Sequence, residues 1–456
     1  MTIFYRKVRE MLFFRNLNMF QNAPNLERIS NTSIIDREYS YWRLRTFYSM
    51  YLGYAFFYLS RKSFTFAMPL MISQMGFTHA DLGILGSVLY ITYGVSKFFS
   101  GIMSDRSNPR YFMSIGLILT GVLNIFFGFS SSLLFFALFW GLNGWFQGWG
   151  WPPCARYLTH WYAKSERGSW WGLMSTSHNL GGAAAPVIVS LVASLYGWRV
   201  GMYFPGILCI LMGLFLMNRL RDTPESLGLP SIEEYKGTKL SEQDLQAEKM
   251  DKKQLLLDIV LRNRYIWILG FAYFFIYVVR TAVNDWGQLF LIQNRGFTDF
   301  SAAACIVSFE IGGFLGCIGA GWISDKGFNG KRGPVNGLFS LGVIFAAASI
   351  WYTPVGGVIY AHIVMFLVGF LVFGPQVLIG IAAAELSHKK AAGAATGFVG
   401  WFAYIGAASA AYPFGKLLDI HGWDAFFILL LICALCAFGL LSLVWAPQKE
   451  KSLSAN

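Results

Sequence analysis

The chain has 456 residues, of which 55% are hydrophobic, 18% aromatic and only 13% charged. That charged fraction is about half the usual share in soluble domains, and apolar runs of bilayer-crossing length recur along nearly the whole chain, which excludes a soluble globular protein. The net charge of +12 would suit nucleic acid, but the basic residues cluster in alternate loops, so it reads as a topology signal and no nucleic-acid partner is expected.

The start, MTIFYRKVREMLFFRNLNMF, has its apolar residues interrupted by Arg6, Lys7, Arg9 and Arg15, which leaves no signal-peptide core. Phe4, Val8, Met11, Leu12 and Arg15 fit a short basic amphipathic helix on a membrane surface, or equally a disordered basic leader. Spans are then expected at 46–72, 80–103, 111–129, 133–158, 168–195 and 199–218. A polar stretch with Pro224, Pro230 and many acidic residues follows. Six further spans run at 265–292, 300–323, 334–352, 356–385, 392–418 and 424–446. The expected fold is therefore an all-α polytopic membrane protein of 12 transmembrane helices. Its parts are a basic N-terminal segment (1–45), a six-helix half (46–218), a central linker (219–263), a second half (264–446) and a tail (447–456).

Lys and Arg fix the orientation. The leader carries eight through Arg45, and loops on the same side add Arg106, Arg110, Arg156, Lys164, Arg167, Lys326, Lys331, Arg332, Lys389 and Lys390. The other side offers little beyond Arg199, Arg295 and Lys416, so both termini and the linker are expected in the cytoplasm.

The halves are repeats. Gly76-Phe77-Thr78 returns as Gly296-Phe297-Thr298 and GIMSDR (101–106) as GWISDK (321–326), both 220 residues on, while Gly197-Trp198 returns as Gly422-Trp423. Six spans is an even number, so both copies start on one membrane side and form parallel repeats.

Charges inside the spans point to the site. Arg61 and Lys62 lie near the middle of the first span. A cation at that depth costs about 2.5–3.5 kcal/mol on insertion scales unless it faces protein, water or an anion. Tyr54, Tyr58 and Arg61 share one helix face, and Tyr273, Tyr277 and Arg280 repeat the pattern 219 residues later. Two buried arginines, one per half, read as a clamp for an anion; the alternative is a structural pair with Asp285 or Glu310. Each guanidinium offers a planar fork of donors that suits a dianionic phosphate. Lys97 shares a face with Tyr90 and Tyr93, and His178 lies among small residues with Ser175 and Asn179 on its helix. Lys62 points about 100° away from Arg61 and can reach Asp285 across the halves, so gating or charge compensation is expected of Lys62, Asp285 and Glu310.

The six cysteines all lie in or beside apolar segments, away from histidine-containing metal spacings, so no metal and no disulfide framework is expected. No Walker motif, nucleophile elbow or paired catalytic carboxylates are found. The expectation is secondary transport, with no enzyme activity and no cofactor.

Gly101, Asp105, Arg106 and Arg110, with the second copy Gly321, Asp325, Lys326 and Arg332, resemble the signature loop of the major facilitator superfamily, whose role is gating. YLSRKSF, FQGWGWPPCARYLTHWYAKSERGSWW, YVVRTAVNDWG and FGPQVLIGIAAAELSHKKAAGAATGFVGWFAYIGA look like the organophosphate:phosphate antiporter family, closest to its bacterial hexose-phosphate branch, over residues 40–446. The resemblance implies that Arg61 and Arg280 hold the phosphate, that His178 assists, and that Lys97, Tyr54, Tyr58, Tyr93 and Tyr277 line the site. Family members often carry Asn three residues before that histidine, where this chain has Ser175. The implied function is exchange of a sugar phosphate, glucose 6-phosphate above all, for inorganic phosphate by alternating access. The rival is a membrane receptor that senses the ester and signals to a histidine kinase. A monomer in the bilayer of a bacterial inner membrane is expected.

Overall fold

The computed structural model describes residues 21–237, 261–386 and 392–445. The expected leader helix, the middle of the linker, Lys389, Lys390 and the tail lie outside the described residues. Among the described residues all regular structure is helical.

Asn31 starts α1 (Thr32–Met75) by accepting a hydrogen bond from the Ser33 N–H at 3.0 Å. Its 44 residues make a rod of about 66 Å, roughly twice the hydrocarbon thickness of a bilayer. The helix therefore begins well before the span expected at 46, and its first turns project from the membrane. The chain continues through α2 (His79–Arg106), α3 (Pro109–Phe129), α4 (Leu133–Gln147), α5 (Trp151–Trp161), α6 (Lys164–Ser175), α7 (Ser177–Tyr196) and α8 (Trp198–Arg219). After the linker come α9 (Arg264–Arg295), α10 (Asp299–Trp322), α11 (Arg332–Trp351), α12 (Val358–Leu386), α13 (Ala392–Ser409) and α14 (Tyr412–Leu443).

The repeated Gly-Phe-Thr has a mechanical explanation. Gly76 and Gly296 end α1 and α9 in the left-handed region (φ 69° and 70°), and Thr78 and Thr298 then cap α2 and α10 with their hydroxyls. Gly-Trp works alike: Gly197 (φ 89°) separates α7 from α8, and Gly422 (φ 73°) kinks α14.

Each of the twelve expected spans overlaps helix, and three of them are broken. Among the described residues, eight helical stretches are long and apolar enough to cross a membrane by length and composition. The expected fourth span is broken at residues 148–150, where Gly148, Gly150 and the following prolines interrupt the ladder. Ser96 and Ser100 on α2 donate to the Trp145 and Gly148 carbonyls at this break, at 2.5 and 2.7 Å. The fifth is broken at Thr176, just before His178. The eleventh is broken after Ser409, where Trp286 Nε1 donates to the Ala410 carbonyl at 3.0 Å. Freed carbonyls at membrane depth thus find protein partners, as the absence of water there requires. Helices pack through small residues: Gly312 and Gly316 of α10 lie so close to the Phe366 and Phe370 carbonyls of α12 that an added Cβ would fall 2.0 and 2.1 Å away.

The linker is more structured than its polarity suggests. Residues 220–235 fold back on the membrane-end surface of α1 and α5, burying Leu227, Leu229 and Ile232 with Tyr39 and Trp161. Residues 23–29 run beside them, with the Leu26 N–H donating to the Glu225 carbonyl and the Ile29 N–H to that of Gly228. Arg156 joins this strap to the α2–α3 turn by donating to Asp222 and to the Ser104 and Ser107 carbonyls, at 2.8–2.9 Å. Burial pushes the Asp222 carboxyl up from its ordinary range in spite of Arg156.

The first and second sets of helices meet where α2 packs on α13 and α14, α7 on α10 and α1 on α9. At the end where α1 turns into α2 and α9 into α10 they are locked: Asp419 accepts from the His79 and Ala80 N–H groups at 3.0 and 2.7 Å and bonds the His79 ring at 2.7 Å. Below this seal lies the polar centre of the protein.

Candidate functional site

Arg61 and Arg280 line one narrow central cavity, together with Tyr58, Lys62, Tyr90, Tyr277, Thr281, Asn284, Tyr404 and Ala407. Neither arginine has a carboxylate within ion-pair distance among the described residues. Arg61 donates from Nε and Nη2 to Gln147 Oε1 at 3.3 and 3.2 Å. Its guanidinium lies 4.4 Å from the Tyr58 ring centre and 4.2 Å from that of Tyr93. Gln147 is itself fixed by Asn143 (3.2 Å), and Asn143 donates to the Thr120 carbonyl (3.0 Å). This buried polar ladder presents the arginine fork to the cavity with its plane set by two rings. Arg280 rests over Phe373 (4.7 Å) and Tyr277 (5.3 Å), and its Nε is buried without a partner.

The two candidate carboxylates are otherwise engaged. Asp285 pairs with Lys62 Nζ at 2.6 Å and accepts from the Tyr90 hydroxyl at 2.5 Å. Lys62 also donates to Asn284 Oδ1. Glu310, almost fully buried, accepts from Asn284 Nδ2 (2.8 Å) and Asn179 Nδ2 (3.2 Å). Gly182 of α7 makes room for it, since a Cβ there would lie 2.8 Å from the carboxyl carbon. Lys62–Asp285 and Asn179–Glu310 each tie the first set of helices to the second.

The remaining expected contacts stand one layer back. His178 lies behind Tyr58 (ring centres 5.4 Å) and stacks on Phe373 at 6.0 Å; its Nε2 is buried without a partner. Tyr93 sits between Arg61 and Tyr404, and Lys97 Nζ donates to the Tyr404 hydroxyl at 3.4 Å. Tyr54 packs on Tyr58 and Trp151. Sequence reasoning passed over Tyr404, Gln147, Asn284 and Thr281. Gln147 and Asn284 were visible as polar residues inside apolar spans. Tyr404 carried no signal among so many aromatics.

The signature loops lie far from the cavity. Asp105 and Arg106 fall on the last turn of α2, with side chains outside the described part. Arg110 Nε donates to the Met217 carbonyl at 2.5 Å, tying α3 to α8. In the second copy Asp325 pairs with Arg332 at 2.6 Å, and Arg332 also reaches Glu385 at 3.1 Å, so this carboxylate is bound within its own half. On the same membrane face as these loops, Arg43 grips Glu166 at 2.7 Å. Burial acts to raise the Glu166 carboxyl, but the Arg43 hydrogen bond and charge hold it below the usual range.

Comparison with known proteins places this geometry. The family model described as Major Facilitator Superfamily matches residues 50–411. A probable hexose phosphate transport protein of Chlamydia pneumoniae is 54% identical over 446 residues, covering 95% of this chain and 98% of the relative. The membrane sensor protein UhpC of Escherichia coli (strain K12) is 50% identical over 401 residues, 88% of this chain and 91% of that one. Among solved structures, a bacterial homolog of the human lysosomal transporter Spinster, inward-facing and unoccupied, superposes with a TM-score of 0.71 at 15% identity, covering 89% of this chain and 97% of that one.

Proposed function

This chain belongs to the major facilitator superfamily, and from that premise we propose that it is a secondary transporter exchanging a sugar phosphate, glucose 6-phosphate above all, for inorganic phosphate. The observation that carries the reading is the pair of guanidiniums, from repeat-related helices, facing one cavity with no carboxylate paired to either among the described residues. Two such cations in a low-dielectric site call for a dianion, and a phosphate monoester supplies both the charge and the oxygens for two forks. Lys62 and Asp285, which neutralise each other, and Glu310, which accepts from Asn284 and Asn179, join the halves at the level of the cavity and serve as gates. His178, Lys97, Tyr54 and Tyr93 set the arginines and the tyrosine wall from behind. The seal at His79 and Asp419 lies on the face where α1 turns into α2, opposite the Lys- and Arg-rich loops, and the charge pattern supports reading that face as the outside of a bacterial inner membrane. The described state is therefore closed to the outside.

Similarity to the sensor UhpC favours a second reading, in which the same clamp binds an external ester and the chain signals to a membrane histidine kinase. Uptake of labelled phosphate and of glucose 6-phosphate by cells without other carriers separates the two. Saturable uptake of both, lost in Arg61→Ala and Arg280→Ala, supports transport. Binding without uptake supports the sensor.

A further inference from the structure

The polar ladder behind Arg61 has a direction, and that direction is set at its far end. Asn124 Nδ2 donates to the Met202 carbonyl at 2.9 Å and to Ser63 Oγ at 3.2 Å. Asn143 Nδ2 donates to the Thr120 carbonyl at 3.0 Å and to Asn124 Oδ1 at 3.4 Å. A main-chain carbonyl can only accept, so each asparagine has to turn its nitrogen toward the carbonyl and its oxygen the other way. Asn143 Oδ1 then takes a hydrogen from Gln147 Nε2 at 3.2 Å, which leaves Gln147 Oε1 facing Arg61. Oε1 accepts from Nε and Nη2 of the guanidinium, so three of its five N–H donors stay outside this contact. Asn124, Asn143 and Gln147 are wholly buried, and the ladder stays within α1, α3, α4 and α8. It ends in an acceptor that carries no charge.

We infer that Gln147 is a positioning residue that selects the charge of the cargo: it holds one edge of Arg61 as a carboxylate would, yet leaves the whole positive charge to the anion. The inference rests on the transport reading above. A carboxylate of the same shape would neutralise Arg61 and leave Arg280 as the one uncompensated guanidinium of the clamp, to which a monoanion is the better match. With the neutral amide both charges remain, and a dianion is preferred. Because every member of the ladder belongs to the first set of helices, it travels with Arg61 and keeps this preference on both sides of the membrane.

Two esters of one shape test the idea at a single pH. At pH 7.5 glucose 6-phosphate is mainly a dianion, its second pKa being about 6, whereas glucose 6-sulfate is a permanent monoanion. Each competes with labelled phosphate for entry into phosphate-loaded proteoliposomes. The wild type is expected to prefer the phosphate ester. Gln147→Glu keeps the length of the side chain, and beside Arg61 the new carboxylate stays ionised. It is expected to move the preference toward the sulfate ester by about tenfold, the size of one charged hydrogen bond. Gln147→Ala removes the holder and adds no charge, so it is expected to weaken both esters alike. If Gln147→Glu stops turnover, the same ratio is read from binding of the two esters to the detergent-solubilised protein. An unchanged ratio in Gln147→Glu would overturn the inference, as would an equal shift in Gln147→Ala. A wild type that exchanges neither phosphate nor its ester would instead remove the transport reading, and the inference with it.

Discussion

Breaking the Lys62–Asp285 pair provides a quantitative handle on the seal. The two charges lie 2.6 Å apart with side chains only 8% and 10% exposed. Removing one partner of such a pair leaves a buried charge uncompensated, at about 3–5 kcal/mol. The pair joins α1 to α9, so that cost falls on the described state; once the helices part at this end, water solvates whichever charge remains. Asp285→Ala should therefore shift the two-state equilibrium toward opening at the His79–Asp419 end by roughly 150- to 5,000-fold. Spin labels at Ala80→Cys and Lys416→Cys report the separation across that end. The expected result is a single short distance in the wild type and a dominant long one in Asp285→Ala. The exchanged pair, Lys62→Asp with Asp285→Lys, should bring back part of the short population. Identical distance distributions in all three proteins would refute the reasoning, since the pair would then hold nothing shut.

Arg61→Lys and Arg280→Lys should each lower exchange by about 30- to 150-fold, the equivalent of roughly 2–3 kcal/mol for a lost charged hydrogen bond; near-normal phosphate exchange in either variant would dismiss the clamp. Gly312→Leu should prevent stable insertion or sharply reduce the Tm in detergent, because the Phe366 carbonyl leaves no room for a Cβ; a protein of unchanged Tm would contradict the packing. The depressed Glu166 carboxyl contributes stability that is complete above the ordinary glutamate range and is lost as pH falls below it. Thermal melts between pH 6 and pH 3 should accordingly fall less steeply for Glu166→Gln than for the wild type, and parallel curves would show that Arg43 does not matter.

How much of this was legible beforehand depended on whether a residue's job is local. Gly76, Gly296, Gly197 and Gly422 could be found because the left-handed backbone they adopt is a property of glycine itself, and the repeat doubled the signal. Arg61 and Arg280 stood out because their cost in an apolar span has to be met by something. The strap at 220–235 was hidden, since Leu227, Leu229 and Ile232 are few apolar residues in a polar stretch and their partner surface comes from α1 and α5. The helix breaks at residues 148–150 and 176 were absorbed into unbroken spans, because hydropathy averages over glycine and proline while the serines that stabilise the first break sit on α2. Tyr404 became visible only when folding set it against Tyr93 and Lys97.

The central claim is that one anion is held by both arginines, and it makes a demand on the empty carrier. Bringing Arg61 and Arg280 to one cavity without an anion sets two like charges against each other. A bound dianion turns that repulsion into two charge-assisted attachments, and it favours closure only through its greater affinity for the closed state. Proteoliposomes loaded with phosphate, or with neither phosphate nor ester, are given labelled glucose 6-phosphate outside. Rapid accumulation in the loaded vesicles and almost none in the empty ones is the predicted result; equally fast accumulation in both would contradict the account, even if each arginine proved essential.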